Sequence, residues 1–359
     1  MRSSWEQGRI ESFEYQLLNQ ALEIEAELRV PAGGSINTSL LGSPRTTGSI
    51  VANLNKTAAL KWNKSLVRVI YKHAGGPDLI LLTAIPGVGN NQYTATVDTV
   101  EVQLYDRTQA LKDDKIGEYY AVASGTDILA KVAELVVSTG NLPLMLAPAA
   151  APILLTTAMS WDPNTTKLDI INELLKAAGY TELYADPEGR LRSEKIVEAF
   201  DKPTVWPFAN DINSLITPQW RQSRQLLSVP NRIRMIRATE GSQPADVAVA
   251  VNTDPNSDFS YEGRGGRWIT EVVTGVTATS FEVLQTLARK KLSELTQAAS
   301  TFSLEHPILP IVAGDVVSFQ HSKLGGVLYR AVAQDLNINL STGSMVSGTY
   351  QEVTNATNG

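Results

Sequence analysis

Hydrophobic and polar residues alternate along the first third of the chain. Between residues 13 and 17, and again between 22 and 28, hydrophobic side chains occupy every second position. Neighbouring side chains of a strand point to opposite faces of its sheet, so this pattern predicts a hairpin with one buried and one exposed face. The second stretch is also rich in leucine, glutamate and alanine, which leaves a helix open as an alternative. Similar alternation at 67–72 and 100–105, between glycine and proline turns, predicts a small barrel or sandwich over residues 8–108.

The spacing of hydrophobic residues changes to that of helices in the middle of the chain. One helix is predicted over about 126–139. A second is predicted over about 166–178, where Thr166 and an aspartate three residues later form a capping box. An Asp-Pro-Glu-Gly turn then predicts a hairpin over 180–193. Residues 109–200 are therefore expected to form a compact α+β module.

The last part of the chain returns to the spacing of strands and adds one longer helix. That helix is predicted over about 279–298, where Thr279 and Glu282 form a capping box ahead of a leucine-rich stripe. Strands are predicted around 232–237, 316–319, 328–332 and 336–340.

Together these patterns predict an α+β fold that is mainly β. Two β-rich segments, 1–108 and 201–359, flank the small α+β module, and the two could be related barrels.

Composition and charge exclude several kinds of functional site and disfavour one class of protein. The chain has 359 residues and no cysteine, which excludes disulfides, thiolate metal sites and cysteine nucleophiles. Lysine and arginine number 31 against 37 aspartates and glutamates, giving a net charge of −6. This balance disfavours a protein that coats nucleic acid through a basic face.

No targeting or membrane segment is predicted. Residues 1–7 have no apolar core to follow their positive charge, unlike a signal peptide. The most hydrophobic stretch, 142–159, is interrupted by three prolines and is too short to cross ~30 Å of lipid. We therefore expect a soluble protein without a membrane anchor.

Motifs of catalysis and cofactor binding are missing from the sequence. It has no phosphate-binding loop, no dinucleotide fingerprint and no Gly-x-Ser-x-Gly elbow. His73, His306 and His321 stand singly, and the proline after His306 prevents a helix that could present a second zinc ligand. We interpret these histidines as structural or surface residues, and we expect no metal and no cofactor.

Four aspartates are the remaining candidates for acid–base chemistry. Asp113 and Asp114 are interpreted as an exposed turn between segments, Asp186 as a turn former, and Asp315 as the residue that closes a turn before a strand. Nothing in their spacing brings two carboxylates to the ~5–10 Å separation that glycoside hydrolysis needs. The sequence therefore predicts no catalytic residues and no enzyme.

Two basic features allow more than one interpretation. The string Gly263–Trp268 resembles Arg/Gly segments that contact nucleic acid, but a single copy in an acidic chain favours a tight loop ahead of a strand. Five arginines lie close together in the sequence, and they could meet a negative partner or a neighbouring subunit, or simply form an exposed strand face. They are Arg221, Arg224, Arg232, Arg234 and Arg237.

Several stretches, in a fixed order along nearly the whole chain, resemble a family of bacteriophage proteins. These stretches are Gly8–Ile10, Pro31–Gly34, Leu104–Arg107, Trp161–Leu175, Gly179–Tyr184, Ala185–Arg190, Ser228–Arg232, Asn252–Pro255, Phe259–Tyr261, Gly265–Ile269, Ala288–Leu292, Glu305–Pro307 and Gly314–Val317. The sequence is similar to the minor tail proteins of the baseplate-hub family, which occur mainly in phages of actinobacteria.

The resemblance implies a structural role at the distal end of the virion tail. Hub proteins of this family have two β-barrel-like domains flanking smaller insertions, and three copies form a pseudo-sixfold ring. The ring lies beneath the distal tail protein, joins other minor tail and fibre proteins, and encloses the channel for the tape measure protein and DNA. A homotrimer made in the host cytoplasm is therefore expected, with DNA passing through unbound and any lytic activity on another protein.

Physical expectations follow from such a ring. A neutral to acidic lumen would keep DNA from sticking, so the arginines at 221–237 should point away from the channel. Trp161, Trp206 and Trp220 should be core or interface anchors. The alternative functions are a surface carbohydrate-binding module, which would use exposed aromatic residues, and a tail glycosidase or peptidase.

Overall fold

The computed structural model describes residues 10–31, 33–53, 62–74, 76–94, 98–208, 215–217, 220–225, 227–238, 245–255, 257–320, 328–353 and 357–358. The helices are α1 (Gln109–Asp113), α2 (Ile128–Thr139), α3 (Lys167–Ala177) and α4 (Phe281–Ala298), with a 3-10 turn at Trp62–Lys64. The strands are β1 (Glu11–Leu18), β2 (Ile24–Glu27), β3 (Gly34–Ser39), β4 (Thr46–Asn53), β5 (Leu66–His73), β6 (Leu79–Gln92), β7 (Thr99–Asp106), β8 (Tyr120–Val122), β9 (Leu144–Leu146), β10 (Met159–Trp161), β11 (Tyr184–Ala185), β12 (Leu191–Ser193), β13 (Thr204–Phe208), β14 (Arg221–Arg224), β15 (Arg232–Arg237), β16 (Val247–Val251), β17 (Thr270–Val276), β18 (Ser300–His306), β19 (Val316–Gln320), β20 (Leu328–Asn339), β21 (Val346–Glu352) and β22 (Thr357–Asn358).

A 13-stranded sheet joins the two β-rich parts of the chain. Its main path runs β14-β18-β21-β20-β3-β4-β7-β6-β5-β1-β2, and β13 and β19 branch from β20. The N-terminal and C-terminal strands meet where β3 pairs antiparallel with β20, with Ile36 opposite Ile338. Among the described residues no sheet closes into a barrel. The predicted class, α+β and mainly β, is confirmed.

The N-terminal strands curve around one hydrophobic core. Alternate residues of β4 and β7 point inward and are buried, among them Ile50, Val102 and Leu104. The stretch after β2 hydrogen-bonds on both sides, because Leu28 donates to the Tyr15 carbonyl on β1 and the Arg29 carbonyl accepts from Asn53 on β4. This stretch therefore brings the two flanks of the N-terminal strands together, although the strand ladder itself stays open. The predicted hairpin is confirmed, and the helical alternative for 22–28 is wrong.

The middle of the chain forms the helices and short strands that its spacing predicts. The Thr166 hydroxyl accepts a hydrogen bond from the Asp169 amide and so caps α3 as predicted. Gly179, at φ +75°, follows the end of that helix. The hairpin is also confirmed, since β11 and β12 pair antiparallel across the Asp186–Gly189 turn. One core of buried aliphatic residues from α2 and α3, with Trp161, holds this part together.

The helix α4 packs against a four-stranded sheet in the order β17-β15-β16-β22. Its cap is Ser280, whose hydroxyl accepts from the Val283 amide, rather than the predicted Thr279. The Thr279 amide instead donates to the Ala177 carbonyl at the end of α3. The strands predicted at 328–332 and 336–340 are one continuous strand, β20. In the described part of the chain no helix is long and apolar enough to cross a membrane.

Candidate functional site

A buried polar cluster, which we call the joint, connects the large sheet to the middle of the chain. It begins at the end of β7 with Asp106, whose side chain is 1% exposed. The Asp106 carboxylate accepts hydrogen bonds from the amides of Thr46 and Thr108, each at 2.9 Å. Burial raises the pKa of Asp106, and these donors oppose that shift.

Arg107 is the centre of the joint and is fully buried. Its guanidinium donates to three oxygens from separate parts of the chain, each at 3.4 Å: the Gly189 carbonyl, the Asn141 carbonyl and the Gln20 side chain. No described residue accepts from its Nε. Burial lowers the pKa of Arg107 to about 10, so the side chain still carries its charge at neutral pH. Within the described residues this cation is therefore held by long hydrogen bonds to neutral acceptors and not by an ion pair.

The Asp186–Gly189 turn supplies the other half of the joint. The Asp186 carboxylate accepts from the Arg190 amide and Nε, both at 2.8 Å, and from Arg192 Nε at 2.6 Å. Gly189 has φ +88°, and a Cβ there would lie 3.0 Å from the Thr83 side chain on β6. Asp186 thus shapes a turn, as its sequence context predicts, and the structure shows that this turn packs closely against the large sheet.

A second set of contacts fixes the middle of the chain to α4. The Thr156 hydroxyl donates to the Ala278 carbonyl at 3.3 Å, and Glu198 forms an ion pair with Arg289 at 2.6 Å. On the side of the large sheet, the Arg45 guanidinium lies 4.6 Å above the Tyr184 ring. The middle of the chain therefore contacts the large sheet as well as α4 and the residues just before it.

The histidines serve the hydrophobic cores, as far as the structure describes them. His306 is 1% exposed; its Nε2 lies 2.5 Å from the Tyr350 hydroxyl and its Nδ1 2.6 Å from the Pro307 carbonyl. Burial raises the pKa of Tyr350. His73 is also buried, with its ring 5.8 Å from that of Tyr71. His321 lies outside the described residues, within which no cluster of three His, Asp or Glu side chains could hold a metal.

The other three aspartates considered for acid–base chemistry each form a hydrogen bond or an ion pair with a nearby residue. Asp114 pairs with Lys167 at 2.7 Å, which lowers the pKa of Asp114. Asp113 accepts from Gln109 at 2.6 Å, one turn earlier in the chain. Asp315 accepts from the Val312 amide at 2.9 Å and closes the turn before β19, and burial raises its pKa. Asp114 is thus part of a helix contact and not simply an exposed turn.

The five arginines are divided between two sheets. Arg221 and Arg224 lie on β14, at one end of the large sheet, whereas Arg232, Arg234 and Arg237 lie on β15 of the four-stranded sheet. Arg224 pairs with Asp258 at 3.1 Å, and Arg237 pairs with Asp246 at 2.8 Å. Close spacing in the sequence thus does not produce one basic cluster.

The string Gly263–Trp268 forms the tight loop that its context favours. A Cβ on Gly263 would lie 2.3 Å from the Ser257 carbonyl, so the backbone passes too close for any other residue. The Trp268 ring packs 4.4 Å from the Tyr261 ring, and the Arg232 guanidinium lies 4.7 Å above it. The indole therefore already stacks on protein groups, and 40% of the residue stays exposed.

The three tryptophans that we expect to be core or interface anchors are buried or half-buried. Trp161 and Trp206 are buried in two different cores, and Trp220 packs half-buried against the second of these. Arg107 was not identified as a functional residue from the sequence, although it belongs to the Leu104–Arg107 stretch of the resemblance. The one feature of the nearby sequence that could have indicated its role is an Asp-Arg pair at the end of a predicted buried strand.

Solved structures with the same fold come from phage tails and secretion systems. The tail protein from Neisseria meningitidis MC58 matches with a TM-score of 0.67 at 14% identity, over 95% of this chain and 97% of its own. The 43 kDa tail protein of prophage MuSo2 from Shewanella oneidensis matches at 0.62 and 13%, over 95% and 98%. The E. coli c3393 protein, a type VI secretion component described as similar to the T4 tail proteins gp27 and gp5, matches at 0.54 and 8%, over 95% and 77%.

These matches confirm the resemblance to phage tail-tip hub proteins at the level of the fold. At the level of sequence, neither a protein-family model nor a curated protein matches the chain.

Proposed function

We propose that the chain is a structural minor tail protein that forms the hub ring at the distal end of a phage tail tube. The observation that carries this proposal is the likeness to two tail proteins, one of them from a prophage, over at least 95% of both chains in each pair. A likeness along the whole length supports a shared architecture rather than one common domain.

Three copies would surround the channel for the tape measure protein and DNA. The large sheet runs through both β-rich parts of the chain, and such a continuous frame suits a subunit that must transmit load between its neighbours. The two β-rich segments would be the barrel-like hub domains, and 109–200 the module inserted between them. Distal tail protein, tape measure protein and fibre proteins would be its partners, in the virion.

The proposed role needs interfaces and no catalytic residues. The candidate carboxylates and the described histidines are engaged in turns, helix contacts and cores, which supports a non-enzymatic protein. The net charge of −6 favours a channel wall that does not bind DNA. In the ring, the arginines of β15 would therefore face away from the lumen.

Gold-labelled antibodies against the purified chain would test the location on intact phage particles. The proposal expects label at the far end of the tail, and antibodies pre-absorbed with the purified chain serve as the control. Label along the tube or on the capsid, or particles that lack the protein, would overturn it. Cryo-electron microscopy of the tail tip would then count the copies, with three expected.

A further inference from the structure

One face of the strands β15, β16 and β17 has accessible side chains, and its composition is unusual for an exposed surface. The inner face of β15 and β16 packs on α4 through Ile233, Met235, Ala248 and Ala250. On the outer face hydrophobic side chains remain accessible, because strand residues alternate between the two faces. We call this surface the valine–arginine face, and its members are Arg232, Arg234, Ile236, Val247, Val249 and Val272.

Arg234 lies at the centre of the valine–arginine face. In the strand register it is opposite Val249 on one side and Val272 on the other. It is exposed, and no described carboxylate lies within ion-pair distance of it. Val247 and Val272 are 42% and 54% exposed. A cation surrounded by accessible aliphatic groups suits a protein partner that brings a carboxylate and small hydrophobic side chains.

The same chain presents a surface of that complementary kind. At the opposite end of the large sheet from β14, the hairpin of β1 and β2 exposes Glu23, Glu25 and Glu27 together with Ile24, whose side chain is 60% exposed. None of these three glutamates forms an ion pair with a described cation. We call this surface the acidic hairpin.

We propose that the acidic hairpin of one copy docks on the valine–arginine face of a second copy. Both surfaces are exposed within one chain, so each is available to a neighbouring copy. The contact joins two different surfaces of identical chains, and such a head-to-tail contact generates a ring if its rotation closes. This inference rests on the proposed ring and names the surfaces through which its copies touch.

The physical character of the contact follows from its composition. Three glutamates meet two arginines that have no carboxylate partner on their own face, so association should be strengthened at low ionic strength. Ile24 and the face valines supply the apolar part, which salt does not weaken. Three strands spaced ~4.8 Å apart form a small face, well below the ~800 Å² per partner of a standard interface. The contact is therefore weak for one pair of copies and is reinforced when a ring closes.

Thiol cross-linking can test the contact directly, because the natural chain has no cysteine. Ile24→Cys in one tagged full-length chain would be mixed with Val247→Cys, Val249→Cys or Val272→Cys in another, at high protein concentration and low salt, with a short bismaleimide. The control partner is Val137→Cys on α2, where the native side chain is 74% exposed. We expect cross-linked heterodimers with the face positions and only background with the control. Equal yields from all positions, or none from the three face positions, would overturn the proposal.

Charge reversal provides a second, independent readout. Arg234→Glu alone and Glu27→Arg alone should each weaken self-association in sedimentation experiments by about tenfold or more, because each places like charges opposite one another. Mixed, the two variants match at both kinds of contact, native hairpin on native face and reversed hairpin on reversed face, so they should assemble with one another although neither assembles alone. The double variant should recover assembly of the wild-type size, whereas equal assembly of all variants would argue against the contact.

These outcomes separate the contact from the proposed function. If the wild-type chain assembles but the cross-links and charge reversals have no effect, the surfaces are wrong and the hub role is untouched. If the cross-links form but antibodies find no protein at the tail end, the contact is right and the hub role is wrong.

Discussion

Arg107, at the end of β7, donates a hydrogen bond to the Gly189 carbonyl, and 82 residues of chain separate the two. The contact is long, at 3.4 Å, and a Cβ on Gly189 would lie 3.2 Å from Arg107 Cδ. Both residues belong to stretches that resemble the hub family, Leu104–Arg107 and Ala185–Arg190. In the structure these two stretches meet, and each forms half of one joint.

We expect the buried charge of Arg107 to contribute less to stability than its buried volume. Arg107→Ala should lower the free energy of unfolding by about 2–4 kcal/mol, since it leaves a cavity and three unsatisfied acceptors. Arg107→Met fills most of that space and removes an unpaired buried cation, so its loss should be smaller, about 1–2 kcal/mol. Denaturant unfolding measures both.

Arg221→Ala is the control for Arg107, because Arg221 is an exposed arginine of β14. Its unfolding free energy should stay within about 0.5 kcal/mol of wild type. A larger loss for Arg107→Met than for Arg107→Ala would show that the charge, and not the packing, holds the joint.

Gly189 should resist substitution for two separate reasons. Gly189→Ala strains a backbone at φ +88° and also presses its Cβ against Thr83, and we expect a loss of about 3 kcal/mol. Gly125→Ala is a matched control, because Gly125 has φ +83° and nothing within 4 Å of its Cβ position. It should lose only about 1 kcal/mol from the backbone strain. Equal losses in the thermal unfolding of the two variants would mean that Gly189 makes no close contact.

Local patterns in the sequence predicted what is local in the structure. The Thr166–Asp169 cap, the Asp186–Gly189 turn and the strands β1, β5 and β7 all follow from spacing and turn chemistry over a few residues. The single-residue shift of the α4 cap to Ser280 was missed because Thr279 has an equally suitable side chain, and the backbone contact of Thr279 with Ala177 decides between them.

The arrangements that were missed depend on distant parts of the chain. The pairing of β3 with β20 joins residues about 300 positions apart, and no local pattern encodes such a register. Arg107 is buried by Gln20, Asn141 and Gly189, none of them near it in sequence. The arginines at 221–237 are close in sequence but divided between two sheets, because the chain leaves one sheet for the other within that stretch.

Tyr350 should stabilise the C-terminal core through its hydroxyl. Tyr350→Phe removes the 2.5 Å hydrogen bond between the Tyr350 hydroxyl and His306 Nε2, two buried residues, and should lower the free energy of unfolding by about 1–2 kcal/mol. Tyr329→Phe is the control, since Tyr329 packs against Phe319 through its ring and its hydroxyl bonds no described residue. It should change the unfolding free energy by less than about 0.5 kcal/mol. A Tyr350→Phe protein as stable as the control would show that this hydrogen bond does not stabilise the fold.

The ion pair of Asp114 and Lys167 should make stability depend on pH in a defined direction. Asp114, just after α1, also accepts from Thr139 at the end of α2, and Lys167 begins α3, so three helices meet there. The Lys167 ammonium lowers the folded pKa of Asp114, whereas the unfolded chain binds that proton near ~3.9. The stabilisation is therefore complete above the unfolded pKa and is lost as the pH falls through the folded pKa.

Asp114→Asn should accordingly lower the free energy of unfolding by about 0.5–1 kcal/mol at neutral pH, the usual value for a partly exposed pair. At a pH below the folded pKa, the wild type and the variant should be equally stable. Asp113→Asn is the control, because that carboxylate accepts from Gln109 of its own helix and forms no ion pair with a described cation. If the difference between wild type and Asp114→Asn stayed constant from neutral to acidic pH, a weakened hydrogen bond from the Thr139 hydroxyl, and not the charge, would account for it.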